Sequence, residues 1–178
     1  RRLNFTSKWK SLWSAFLIVM IPFIVWDVLF TQMEVWGFNP DHLIGINILN
    51  LPIEEWLFFI CIPYASLFTY HCFGVLIKKD LLANYSNSIS ISLVALLVIT
   101  SAIHFDKAYT ISAFIPLAIT IIVLQWGIKV KWLSRFYFAY LVLLLPFFLV
   151  NGMLTGMWLD TPIVIYTDLE NLGIRLNT

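Results

Sequence analysis

Five apolar runs separated by short polar segments constrain this chain of 178 residues more than anything else in it. A hydrocarbon core of about 30 Å takes about 20 apolar residues per helix. Residues 11–30, 52–77, 88–103, 108–128 and 136–154 meet or approach that length, the third being the shortest. Charged residues make up 12% of the chain and hydrophobic ones 61%, against about 25% and 45–50% in ordinary soluble domains. A water-soluble fold could not cover its surface with so few charges. The expected class is therefore all-α, a polytopic transmembrane helix bundle with about five spans in this chain. Pro22, Pro63, Pro116 and Pro146 fall inside four of the runs, where neighbouring helices and local adjustments can re-satisfy the freed backbone groups.

The basic residues set an orientation. Arg1, Arg2, Lys8 and Lys10 precede the first run, Lys78 and Lys79 follow the second, and Lys129, Lys131 and Arg135 lie between the fourth and fifth. With alternating spans all of them fall on one side, expected to be cytoplasmic and, in a bacterium, the inner face of the inner membrane. The other side keeps Lys107 and Arg175 beside Glu34, Asp41, Asp106, Asp160, Asp168 and Glu170. A net charge of +1 leaves no clustered basic surface for nucleic acid. The basic start before an apolar run is not read as a cleaved signal, because that run is too long and contains Asp27. Cys61 and Cys72 fall on one helix about 16 Å apart, too far for a disulfide within it, and no His or Cys cluster accompanies them to suggest a metal.

A partial internal repeat is visible. Gly45-Ile46 stands seven residues before Pro52, and Gly173-Ile174 recurs 128 positions later. Each follows a run that exits to the less basic side. The organisation expected is one integral-membrane domain over 1–178, with first-repeat helices at 11–77 and an incomplete second repeat at 108–178. Two parallel copies are a known repeat geometry of membrane proteins. The chain lacks an initiator Met and stops just before a second Pro-x-Glu motif would fall, so it is expected to be clipped at both ends.

Chemistry points first to Glu54 and Glu55, which follow Pro52 and precede Trp56, Leu57, Phe58 and Phe59. Proline suits the first helical position and acids suit the first turn, where the helix dipole is positive. Helix-capping carboxylates at an interface need no further purpose. Two adjacent carboxylates among aromatics are nonetheless costly unless they face protein or water. Neighbouring helical positions point about 100° apart, so the two can sit in different surroundings and divide the work of acid and base. Asp27, in the last turn of the first run, lies on the same side of the membrane, where its charge either reaches water or belongs to a pocket. Asn151, near the end of the fifth run, is its expected counterpart in the repeat. The loop Trp36-Gly37-Phe38-Asn39-Pro40 reads either as an interfacial anchor and turn or as a lid over an apolar ligand. His71 and His104 read as interfacial and loop residues, and Gly152 and Gly156 as small-xxx-small packing. No Gly-x-Gly-x-x-Gly, Asp-x-x-Asp, Gly-x-Ser-x-Gly or His-Glu-x-x-His occurs in a fitting context. Proton transfer by carboxylates is the most available chemistry.

Trp36-Gly37-Phe38-Asn39, then Gly45-Ile46, then Leu51-Pro52-Ile53-Glu54-Glu55-Trp56-Leu57-Phe58-Phe59 resembles the membrane, non-flavin lycopene cyclase family. Its signature is Pro-x-Glu-(Glu/Asp) ahead of paired aromatics. Ile163-Val164-Ile165-Tyr166 and Leu172-Gly173-Ile174-Arg175 look like the run-up to the second copy in a fused form of about seven spans. The resemblance implies cyclisation of the ends of linear lycopene to β-ionone rings, with no cofactor and no metal. It implies Glu54 and Glu55 as catalytic residues. Pro52, Phe58, Phe59, Asp27, Trp36, Asn39 and Asn151 are candidates for the substrate pocket. Implied partners are lycopene or a related linear carotenoid, the lipid bilayer, and other carotenoid-pathway enzymes or a second copy. A small transporter with interfacial acids, or a non-catalytic membrane subunit, are the alternatives. The first would more often show charges at span centres, which are apolar here.

Overall fold

The computed structural model describes residues 4–167 and Glu170. The chain is mostly helical. Its long helices are α1 (Trp9–Gln32), α2 (Ile53–Leu76), α3 (Ser86–Ile103), α4 (Ala108–Ile122) and α5 (Leu133–Leu154). With the short turns that extend them, five segments are long and apolar enough to cross a membrane: Phe5–Gln32, Ile53–Leu76, Ala83–Ile103, Ala108–Gly127 and Leu133–Leu154. Four short strands accompany them: β1 (Trp36–Phe38), β2 (Asn47–Ile48), β3 (Leu51–Pro52) and β4 (Val164–Tyr166). Most large apolar side chains of the helices, among them Ile18, Ile21, Leu96, Leu141 and Leu145, are exposed on the protein surface. In hydrocarbon that is the favourable arrangement, since the backbone is satisfied inside each helix.

The described residues divide into two compact units. The first comprises residues up to Leu76 together with Leu143–Thr167, and the second Ile77–Val142 with Glu170. In the first unit α1 packs on α2, with Phe5, Leu12 and Phe16 buried against Tyr64. Phe5 also meets Phe68 and His71 ring to ring, at 5.3 and 5.2 Å between centroids. β1 pairs antiparallel with β4, Trp36 opposite Tyr166 and Phe38 opposite Val164. β2 and β3 form a small hairpin with Asn47 opposite Pro52.

Two helices of this unit end in the same turn. At α1 the amide of Val35 bonds the carbonyl of Phe30 and that of Glu34 bonds Thr31. At α5 the amide of Met157 bonds Gly152 and that of Gly156 bonds Met153. This is the double hydrogen bond of a Schellman cap, which needs a residue at positive φ. Gly156 supplies it at +97° and Glu34 at +57°. Gly156 thus serves the turn rather than small-residue packing. The register also separates Asn151 from Asp27. Asp27 stands three residues before the turn's first acceptor and Asn151 one, a difference of about 200° around the helix.

In the second unit α3 lies along α4, burying Leu97, Ala118 and Ile121. Here the third span is longer than expected, because a 3-10 turn at Ala83–Tyr85 leads into α3 at Ser86. The polar residues at the start of this span are satisfied internally. Ser86 and Ser90 donate to Gln125 at 3.2 Å, Ser90 shares a hydrogen bond with Tyr137 at 2.8 Å, and the Trp126 indole donates to Asn87 at 3.0 Å. Gln125 and Trp126 sit in a π-helical turn, Val123–Gly127, that finishes the fourth span. Asp80, held by Ser134 and near Arg135, fixes the polar end.

Pro52 was expected at the first helical position. It ends β3 instead, and α2 starts at Ile53, whose amide bonds the carbonyl of Ile46 at 2.8 Å. Gly173-Ile174, Arg1, Arg2, Asp168 and Arg175 lie outside the described residues. The Gly156 geometry makes a direct prediction. A Cβ there would stand 3.3 Å from Pro162 in a left-handed conformation, so Gly156→Ala should destabilise by about 1–2 kcal/mol. Gly74→Ala, with open space around it, should be nearly neutral in the same thermal unfolding assay in detergent.

Candidate functional site

The site grows from the end of α1. The Schellman turn reverses the chain so that Val35 and Trp36 fold back on the helix they have just left. Val35 is 2% exposed and Trp36 8%. The Trp36 indole stacks on Phe30, with centroids 5.4 Å apart and planes 7° from parallel. Its N–H donates to the Asp27 carboxylate at 2.8 Å, and the Thr31 hydroxyl reaches the same oxygen at 3.5 Å. Asp27 is 2% exposed, and its other oxygen is buried with no hydrogen-bond partner among the described residues. An aspartate this deep does not reach water, contrary to the simpler of the two expectations for it.

The acidic motif enters from the other side of the same unit. The Asn50 side chain donates to the Val28 carbonyl at 2.9 Å, tying the β2–β3 hairpin to α1 one residue from Asp27. Leu51, the next residue, is fully buried. The first turn of α2 then presents two carboxylates. Glu54 Oε1 accepts the amide of Ile44 at 2.7 Å, while its Oε2 is buried and unpartnered among the described residues. Glu55, the next residue, is half-buried. Glu54 is thus tied to the preceding loop by its first oxygen.

Aromatic rings connect these acids to an apolar groove. Trp26 lies 5.3 Å from Trp36 and 6.5 Å from Phe23, and Phe23 lies 6.5 Å from Phe59. Phe23, Phe58 and Phe59, with Phe16, Met20 and Ile62, line a groove of about 220 Å³ between α1 and α2. Its walls are wholly apolar. Phe58 and Phe59 both belong to this lining. Tyr166 closes the far side of Trp36 at 6.3 Å.

Asn39 joins two loops of the first unit. Its amide N–H bonds Ile163, its side chain donates to Pro162 at 3.2 Å, and its side-chain oxygen accepts from Asp41. It staples one loop to the other rather than lining the groove. Trp36-Gly37-Phe38 is a paired strand, not a free lid, because β4 satisfies its backbone. Asn151 offers its carbonyl to the amide and hydroxyl of Thr155 and stands outside the Asp27 network. Sequence reasoning missed Asn50, Tyr166 and Thr31. A side chain that caps a neighbouring helix's carbonyl, or a ring brought in by pairing with a distant strand, leaves no local pattern. Among the described residues no three His, Cys, Asp or Glu side chains are grouped to hold a metal ion.

Carboxyl groups set near aromatic rings and an apolar groove are suited to moving protons on a hydrocarbon. The lycopene cyclase family model matches residues 1–73 and 106–178, which is most of the chain. The chain belongs to the lycopene cyclase family. A bifunctional lycopene cyclase/phytoene synthase of Aspergillus niger is 34% identical to it over 56 residues, a stretch covering 32% of this chain. That stretch spans about 10% of the length of the curated relative. No solved structure matches the chain.

The Trp36–Asp27 bond can be weighed separately from activity. Trp36→Phe keeps a ring against Phe30 but removes the donor. A buried bond to a carboxylate is worth about 1.5–3 kcal/mol, so the variant should unfold at a clearly lower temperature than wild type in detergent. A further Asp27→Leu substitution should add little, or recover part of the loss, since it removes the carboxylate left without its donor.

Proposed function

We propose that this chain carries the acid–base site of a carotenoid cyclase that turns the linear ψ end groups of lycopene, or a related linear carotenoid, into β-ionone rings. The reading rests on membership of the family together with one observation: buried carboxyls at the end of an aromatic path that leads to an apolar groove. Protonation of the terminal C1=C2 bond at C2 leaves a cation at C1. The C5=C6 bond attacks C1, moving the cation to C5, and loss of the C6 proton to a base gives the ring double bond. Lycopene becomes γ-carotene and then β-carotene. Atoms and electrons are conserved, so the reaction is an isomerisation of the intramolecular lyase type and needs no redox cofactor.

The groove of about 220 Å³ falls below the about 300–1,000 Å³ of a site that encloses a whole ligand. It suits one end group, with the rest of the polyene lying in lipid. Rings of Trp26, Trp36, Phe23 and Phe59 can face the intermediate cation and stabilise it, and their bulk keeps out water that would quench it. Acid and base are drawn from Glu54, Glu55 and Asp27. We place these groups near the non-cytoplasmic face of a bacterial inner membrane, from the basic residues on the opposite side. We also assign residues 11–77 and 108–178 to two repeats of a longer protein, which works with other carotenoid-pathway enzymes or a second copy.

Expression of the complete reading frame in a lycopene-accumulating bacterium should yield cyclic carotenes on chromatography. Glu55→Gln, at matched protein level, should lower ring formation about 10²- to 10⁴-fold. Unchanged lycopene with the intact, well-expressed protein would overturn the cyclase reading. The topology has its own check. A single cysteine at position 131 should be shielded from an impermeant maleimide added to intact spheroplasts, and one at position 41 labelled, both in a background lacking Cys61 and Cys72.

A further inference from the structure

We infer that the end of the second unit at which Lys78, Lys79, Lys129 and Lys131 emerge is a docking site for the headgroups of anionic phospholipids. The inference rests on the fold of this unit and is independent of the cyclase reading.

Two short links meet at that end. One runs from the close of α2 at Leu76 to the start of the third span at Ala83, and the other from the close of the fourth span at Gly127 to the start of α5 at Leu133. Arg135, in the first turn of α5, joins them. Its guanidinium donates to the Lys78 carbonyl at 3.0 Å, and its Nε stands 3.9 Å from the Asp80 carboxylate. That carboxylate also accepts from the Ser134 hydroxyl and from the amide of Leu82. A cation in the first turn of a helix opposes the dipole, so the place of Arg135 is accounted for by what it holds. Asp80 is the one acid of the two links, and its charge is engaged by Arg135 and Ser134.

Four ammonium groups remain. The side chains of Lys78, Lys79, Lys129 and Lys131 are exposed, and none has an ion pair or hydrogen bond among the described residues. Lys129 adopts a left-handed backbone, φ +56°, which glycine or asparagine would take more cheaply. The turn around it is closed on both sides, Ile128 bonding the Val123 carbonyl at 2.7 Å and Val130 that of Leu124 at 3.0 Å. A long basic side chain therefore stands at the tip of a fixed turn.

Aromatic rings set the depth of these lysines. Trp126, Trp132 and Tyr85 are all exposed, and each lies at a span end next to one of the links. The Trp126 indole is held by Asn87 at 3.0 Å, and Trp132 meets Phe136 edge-on with centroids 6.2 Å apart. Trp and Tyr settle where hydrocarbon gives way to headgroups. Lysines on short links beside such rings lie in the layer of the lipid phosphates. Charge then selects the lipid. A zwitterionic headgroup brings its own cation to the phosphate, whereas an anionic headgroup leaves the phosphate to the protein.

The test measures lipid binding to the complete protein in neutral detergent by native mass spectrometry, with phosphatidylglycerol and phosphatidylcholine of identical acyl chains. The wild type should prefer phosphatidylglycerol by at least about fivefold, the gain of roughly one lysine near an anionic surface. Added salt should erode that preference. Lys78→Gln with Lys79→Gln, and Lys129→Gln with Lys131→Gln, should each reduce it, and all four together should abolish it. Lys107→Gln, at the opposite end of α4, should leave it unchanged. Lys129→Gly separates folding from binding: it should unfold no earlier than wild type, because it relieves the left-handed residue, yet bind phosphatidylglycerol more weakly. The inference is overturned if phosphatidylcholine binds as well, if the quadruple variant keeps the preference, or if Lys107→Gln lowers it as much. Displacement of the lipid by inorganic phosphate at equal concentration would mark a site for a free anion and overturn it too.

Discussion

A carboxylate buried to 2% exposure within an apolar helix is the point to which the first unit is organised. The indole that answers it comes from nine residues further along the chain, so the backbone must reverse within that distance. The reversal needs a left-handed residue, and Glu34 adopts that conformation where glycine would be cheaper. Trp36 is then held from three directions: by Asp27 through its N–H, by Phe30 through its face, and by Tyr166 through strand pairing. Remove the carboxylate and the indole N–H is left buried without this acceptor.

The proposed cyclisation asks these residues to exclude water. Hydrocarbon substrates offer an enzyme no polar group to grip, so orientation must come from shape, and the apolar groove between α1 and α2 supplies shape. A carbocation would react with any water within reach. Carboxyls that exchange protons with it must therefore be dry, and dry carboxyls are unstable unless each oxygen is placed. Asp27 and Glu54 each have one oxygen bonded and one without a hydrogen-bond partner among the described residues.

The spans were legible because a 20-residue apolar run has few other fates, and the acids stood out because charge is rare in such runs. Glu54, Glu55 and Asp27 were all visible, but not what each touches. Glu54's bond to the Ile44 amide depends on a ten-residue loop closing back on the helix, which no local pattern announces. The third span hid its start because Ser86 and Asn87 are polar, and Gln125 and Trp126 satisfy them from another segment. β1 and β4 were invisible for a related reason. Three-residue strands show no alternation, and their partners lie about 130 positions apart.

That last separation imposes an order of events on a growing chain. α1 and α2 can enter the bilayer as soon as they are made, yet the strand bearing Trp36 has its backbone partner only after the ribosome has passed Tyr166. A chain released before that point would keep α1, α2 and the groove between them but lack β4, and with it the backbone partner of the strand that carries Trp36.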